Sequence, residues 1–134
     1  AYSGVVPIVL NKIDNNESPT VNGDGSQAYD FIYVEDVARC NIDALKSKIK
    51  FGYYNVGTEV QTTIKNLCNT ILRIKKSNLK INYVPYNDDD ARQLVQHRIG
   101  SRQKAERDLG FKYKYSLEEG LKALIDWRKK ITSN

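Results

Sequence analysis

Methionine is absent from this sequence of 134 residues, histidine and tryptophan occur once each, and cysteine only twice. A single histidine, His97, has no partner at metal-ligand spacing, which argues against a metal ligand or an acid/base role. It reads as a hydrogen-bonding loop residue. Cys40 and Cys68 have neither the spacing of a metal knuckle nor that of a redox pair. They are expected to be two small buried thiols in a reducing, cytoplasmic setting. No apolar run approaches the ~20 residues that span a bilayer, so no membrane partner is expected. The opening Ala1-Tyr2-Ser3-Gly4 has no basic region preceding an apolar stretch, so it does not read as a secretion signal. The missing initiator methionine suggests a chain cut from something longer. Prolines number only three, and Pro7, Pro19 and Pro85 fall where elements begin or end.

What is present suits a core-forming domain: 40% hydrophobic and 28% charged residues, in a length that buries a core without staples. The net charge of +5 raises the question of nucleic acid. The basic residues are scattered, however, and most lie toward the C-terminal ends of predicted helices, where cations favour the helix dipole. No nucleic-acid motif accompanies them, so no nucleic-acid partner is expected.

Helical and strand-like segments alternate without repeats. Over residues 5–13, Val6, Val9, Leu10 and Ile13 share one helical face, with Pro7 tolerable in the first turn. Thr20-Val21 is extended, and Asn22-Gly23-Asp24-Gly25 predicts a turn, because glycine supplies positive φ. Asp30–Val34 reads as a strand by its aromatic and β-branched content. Glu35 or Asp36 is then expected to cap a helix with Val37, Ala38, Asn41, Ala44 and Leu45 on one side. Tyr53–Val56 reads as a short strand ending at Gly57. Thr62 or Thr63 caps a helix on which Ile64, Leu67, Cys68, Ile71 and Leu72 keep helical spacing. Lys80–Val84 is a strand stopped by Pro85, and the acidic loop Asn87–Asp90 follows. A short helix over 102–109 carries Ala105 and Leu109, with Gly110 as its left-handed stop. Ser116-Leu117-Glu118-Glu119 is a capping box opening a last helix that buries Leu117, Leu121, Leu124 and Ile125, with Trp127 packed near its end. Short strands with four to five helices in this order argue for an α/β fold.

The run from Gly23 to Ala38, GDGSQAYDFIYVEDVA, resembles the C-terminal half of the extended short-chain dehydrogenases/reductases, in the NAD-dependent nucleotide-sugar epimerase/dehydratase group. The likeness continues through Tyr54-Asn55-Val56-Gly57, Lys104-Ala105, Leu109-Gly110-Phe111 and Ser116–Leu121. Together these span nearly the whole chain, residues 1–134, as the substrate-binding portion. What the resemblance implies is a two-part enzyme whose N-terminal Rossmann domain binds NAD through a glycine-rich turn and carries a Tyr-x-x-x-Lys pair. Neither is here: none of the nine tyrosines has lysine four positions on, and no G-x-G-x-x-G follows a strand. By this resemblance the N-terminal NAD-binding domain is absent from these residues, which alone are expected to be inactive.

The same resemblance implies a nucleotide-sugar pocket. Gly4, Val5, Val6 and Pro7 would offer backbone and apolar contact to the nucleotide, and Thr20, Val21 and Asn22 would face the base. Many relatives have arginine just before the Asp-Phe of the signature, reaching the diphosphate; here that residue is Tyr29, which brings a phenol and no charge. Arg92 best matches the phosphate-binding arginine of a later loop, and Arg98 is a second cation from that segment. Three functions stay open. They are a UDP-sugar 4-epimerase, a nucleotide-sugar 4,6-dehydratase of the same family, and a stand-alone non-catalytic module for an anionic partner. Relatives use the strand matching Tyr53–Val56 to complete the edge of the NAD-domain sheet. This portion alone is therefore expected to self-associate, and the full-length enzyme to form a homodimer.

Overall fold

The computed structural model of the protein describes residues 4–86 and 97–132. The chain divides into two compact units, Ala1–Tyr29 with Thr62–Arg98, and Asp30–Gln61 with Ile99–Asn134. Each mixes sequence-distant segments.

The first unit opens with α1 (Val5–Asp14), which buries Val9, Leu10 and Ile13. A short loop leads to β1 (Thr20–Asn22), and Lys12 Nζ donates to Thr20 Oγ1 at 2.6 Å to tie the two. Gly23 and Gly25, at φ 68° and 73°, turn the chain into β2 (Ala28–Asp30). After β3 (Gln61–Thr63), Thr63 caps α3 (Ile64–Ile74), its hydroxyl accepting from the Asn66 N–H at 3.1 Å. All five expected core residues of α3 are buried, and the helix packs against α1. An ion pair from Lys75 to Asp14 joins their C-terminal ends. Next come β4 (Asn82–Val84), parallel to β1, and β5 (His97–Arg98), parallel to β2 in a sheet ordered β3-β2-β5.

The second unit holds α2 (Val34–Lys46), α4 (Gln103–Leu109) and α5 (Leu117–Thr132). Helix α2 packs on α4, and Cys40, Ala105 and Phe111 form a core against which Ile32, Tyr54, Val56, Leu109 and Tyr113 pack. Gly110 ends α4 in the left-handed region at φ 68°, and its N–H returns to Glu106 O at 3.0 Å. The capping box is present: Glu119 Oε2 accepts from the Ser116 N–H at 2.8 Å, and Ser116 Oγ accepts from the Glu119 N–H at 3.3 Å. Leu121 and Ile125 are buried as their spacing predicts. Both cysteines are free and buried.

Five expectations are corrected. The strand expected over 30–34 lies at 28–30, because that is where β3 and β5 offer ladder partners. Phe31 to Tyr33 run into the helix without a ladder, and Ile32 packs on the core. Neither Glu35 nor Asp36 caps α2; the cap position is Tyr33, with no side-chain bond. Asp36 is instead fully buried, its Oδ1 accepting from the Lys114 N–H and its Oδ2 from the Tyr115 N–H at 3.0 and 3.1 Å. That carboxyl turns the helix, so the inward face runs through Asp36 and Cys40 while Ala38 and Asn41 are exposed and Leu45 stands 86% exposed. Tyr53–Val56 form no strand, and Trp127 is 59% exposed rather than packed.

Two substitutions separate these readings of α2. Asp36→Ala strands two backbone donors in the interior and is expected to cost on the order of 3 kcal/mol. Leu45→Ala is expected to stay within about 0.5 kcal/mol. Urea unfolding of the chain measures both, and equal losses would restore Leu45 to the core.

Candidate functional site

All the expected substrate-binding residues that the structure describes fall in the first unit. Arg92 lies outside the described residues, as does the acidic loop from Asn87 to Asp90. Gly4 is the N-cap of α1, extended at φ −61°, ψ 163° with no side chain to bond the first turn. Val5, Val6 and Pro7 follow, half-buried. Such a helix start leaves backbone N–H groups directed outward, with a partial positive charge. Thr20 of β1 is bonded to Lys12 in the last turn of α1, so Gly4–Pro7 and Thr20 lie by opposite ends of that helix.

Along β1 the three residues divide their tasks. Val21 is 2% exposed and belongs to the core, which leaves it no side-chain surface for a ligand. Thr20 is half-buried and Asn22 exposed. Of Val21 only the backbone is left to face a base: its isopropyl group lies inside, one methyl 3.0 Å from where a Cβ on Gly25 would stand.

Tyr29 sits half-buried in β2, and the ladder sets it directly opposite Arg98 of β5. In a parallel pair, residues in register project to the same face. The pairing places Arg98, which is exposed, beside position 29 on the neighbouring strand. His97 pairs with Ala28 in the same two-residue strand, not in a loop as expected. Among the described residues no cluster of His, Cys, Asp or Glu could hold a metal ion.

The turn after β1 contributes more than its sequence suggested. Parallel pairing carries β1 and β4 to the same end, where the Gly23 N–H donates to Val84 O at 2.8 Å. Pro85 follows, and the Tyr86 ring then lies against Gly23: a Cβ there would stand 2.2 Å from Tyr86 Cε2. Burial, then the Asp24 carboxylate and the Tyr29 phenol, push the Tyr86 hydroxyl above its ordinary pKa. Hydrogen bonds from Ser26, first among several influences, hold the Asp24 carboxyl below its ordinary range, and Lys65 adds a favourable charge. Tyr86 was passed over in the sequence. The available signal was an aromatic residue just past the strand-stopping Pro85, and it acquires meaning only once β4 is known to lie beside β1.

A dinucleotide cradle requires a glycine turn that leads from a strand into a helix. The Gly23 turn leads from β1 into β2. These residues do not fit that cofactor, and no chemical step through it follows from them.

Comparison with known proteins gives consistent likenesses. Residues 1–57 match the model of the NAD dependent epimerase/dehydratase family. A protein of Methanocaldococcus jannaschii described as a putative UDP-glucose 4-epimerase is 34% identical over 95% of this chain and 39% of its own length. The dTDP-D-glucose 4,6-dehydratase of Bos taurus is 28% identical over 92% of this chain and 35% of its own. A crystal structure of UDP-glucose 4-epimerase with UDP-glucose from Thermotoga maritima superposes with a TM-score of 0.87 at 31% identity, covering 98% of this chain and 41% of that one. The chain thus spans about two fifths of the relatives it matches. Among the described residues no helix is long and apolar enough to cross a membrane.

The Gly23 geometry has a direct consequence. Gly23→Ala meets both a positive φ and the Tyr86 ring, so the ring must move and the chain is expected to lose more than ~1 kcal/mol. Tyr86 ring resonances and urea unfolding report the two effects, and unchanged ring shifts would mean the contact is not formed in solution.

Proposed function

Since the chain belongs to the NAD-dependent epimerase/dehydratase family, we propose that it is the nucleotide-sugar-binding part of a UDP-sugar 4-epimerase whose NAD-binding half lies outside these residues. The observation that carries this reading is the likeness, along nearly the whole chain, to an epimerase crystallised with UDP-glucose. Epimerase is preferred to dehydratase because this likeness and the 34% identical relative both carry epimerase descriptions, whereas the cattle dehydratase is 28% identical.

Within the proposal the residues here bind and orient; they move no hydride. The outward N–H groups at Gly4–Val6 and the apolar edge of Pro7 flank the nucleotide. Thr20 and Asn22, with the backbone at Val21, meet the base. Tyr29 donates one hydrogen bond to a diphosphate oxygen, and Arg98 beside it brings the charge that a phenol lacks. Arg92 adds a second cation from the intervening segment. NAD, implied by the family description, is held by the other half of the enzyme.

The second unit supports the two-part reading. Phe51 and Tyr53 are each 78% exposed, their rings meeting edge to face at 5.1 Å. Tyr53–Val56 find no ladder among the described residues. An apolar surface beside a segment that joins no ladder suits burial against further protein. In the full-length enzyme that protein is the NAD-binding half of a homodimer subunit; in the isolated chain it is a second copy.

Calorimetry of the chain with UDP-glucose, against single-stranded DNA, tests the binding reading. Uptake of the sugar nucleotide alone is expected, and preference for DNA would favour the anionic-partner module. Arg98→Ala should weaken UDP-glucose binding by ~1.5–3 kcal/mol, the worth of a charge-assisted contact; unaltered affinity would remove Arg98 from the site. Sedimentation is expected to reveal a concentration-dependent dimer that Phe51→Ser and Tyr53→Ser weaken. A monomer at every concentration would count against the exposed face.

A further inference from the structure

We infer that Tyr86 is the aromatic platform on which the nucleobase of the bound nucleotide stacks. The inference rests on the nucleotide-sugar reading and adds to it a residue, just past the end of β4, that the resemblance left without a role. Ligands of parallel α/β sheets bind beyond the carboxyl ends of the strands. Here β1 and β4 run parallel and in register, Asn22 opposite Val84, so both chains leave the sheet at one place. One departs through the tight Gly23 turn. The other departs through Pro85, whose ring restricts the backbone, and an edge of the Tyr86 ring then lies against Gly23.

Three features make the ring a platform rather than core filler. It is half-buried, and the atoms that meet Gly23, a residue with no side chain, are Cδ2, Cε2 and Cζ along one edge of the ring. Its neighbours are polar: the Asp24 carboxylate and the Tyr29 phenol act on its hydroxyl. The exposed Asn22, which can donate to and accept from a base edge, lies one residue before the glycine the ring meets. Gly23 itself is constrained twice, by its positive φ and by the ring, and no other residue satisfies both. A pyrimidine stacked on Tyr86 then has Asn22 near its edge, with Tyr29 and Arg98 set toward the diphosphate.

The test uses the chain with UDP and with ribose 5-phosphate, which has a charged sugar and no base. Base stacking on an aromatic side chain is worth about tenfold or more in affinity. Tyr86→Ala should therefore weaken UDP about tenfold and leave ribose 5-phosphate unchanged, while Tyr86→Phe keeps UDP affinity near that of the unsubstituted chain. In the unsubstituted protein, the Tyr86 ring resonances should shift with UDP and stay fixed with ribose 5-phosphate, a readout that survives if the alanine variant fails to fold. UDP binding with unmoved Tyr86 resonances would overturn the platform and leave the nucleotide-sugar reading standing. Failure of the unsubstituted chain to bind UDP would overturn both.

Discussion

The carboxyl group of Asp36 has no access to water, and the course of the second unit follows from where it finds its hydrogen bonds. Burying a carboxyl group without partners is prohibitive, so the backbone N–H groups of Lys114 and Tyr115 must come to it from 78 and 79 residues away. Arg39, one turn along α2, bonds the same carboxyl and reaches the Lys112 carbonyl at 2.9 Å, closing the clamp. Asp30 repeats the device six residues earlier. Its carboxyl accepts from the Thr58 N–H, the Thr58 hydroxyl and the Glu59 N–H, at 2.6–3.0 Å. Glu59 is held at φ 62° as a result, and Arg102 braces it by donating its N–H to the Glu59 carboxylate at 2.8 Å. A Cβ at Gly57 would stand 2.4 Å from Asp30 Oδ2, which explains the glycine there.

These two carboxyl groups also mark where the sequence stopped being legible. Helix α3 could be read in full, because its five apolar residues keep one period and Thr63 announces its start. The Ser116 capping box and the Gly110 stop could be read for the same reason: each is satisfied within four residues. Helix α2 obeys a different rule. Its inward face is chosen by a polar residue whose partners lie in a remote loop, so apolar spacing turned Leu45 inward when the carboxyl turns it out. Tyr53–Val56 carry strand-like side chains, yet a strand exists only where a neighbouring backbone accepts it, and sequence content cannot supply the neighbour.

The candidate site divides along the same line. Residues defined by their own segment, such as the Gly4 helix start and the Gly23 turn, could be named from the sequence. Those defined by pairing could not be understood from it. Val21 seemed available to a ligand until its strand was seen to send that side chain into the core. Tyr86 had no visible role until β4 was set parallel to β1. The arginine missing at position 29 looked like a deficit because the signature was read along one strand.

On the proposed reading the deficit closes across strands, and this has a physical consequence for recognition. With arginine at position 29, the cation and the strand that positions it would be one residue. With Tyr29, the charge arrives from β5, and its placement depends on the register Ala28↔His97 and Tyr29↔Arg98. A slip of one residue would set His97 or Ile99 beside Tyr29 and turn Arg98 to the other face. If a diphosphate binds there as proposed, its binding and the pairing of β5 onto β2 favour one another: the anion is held best in the correct register, and the correct register is favoured by the anion. On the proposed reading, a two-residue strand that adds little to the fold's stability on its own is kept in place in part by the ligand it helps to hold.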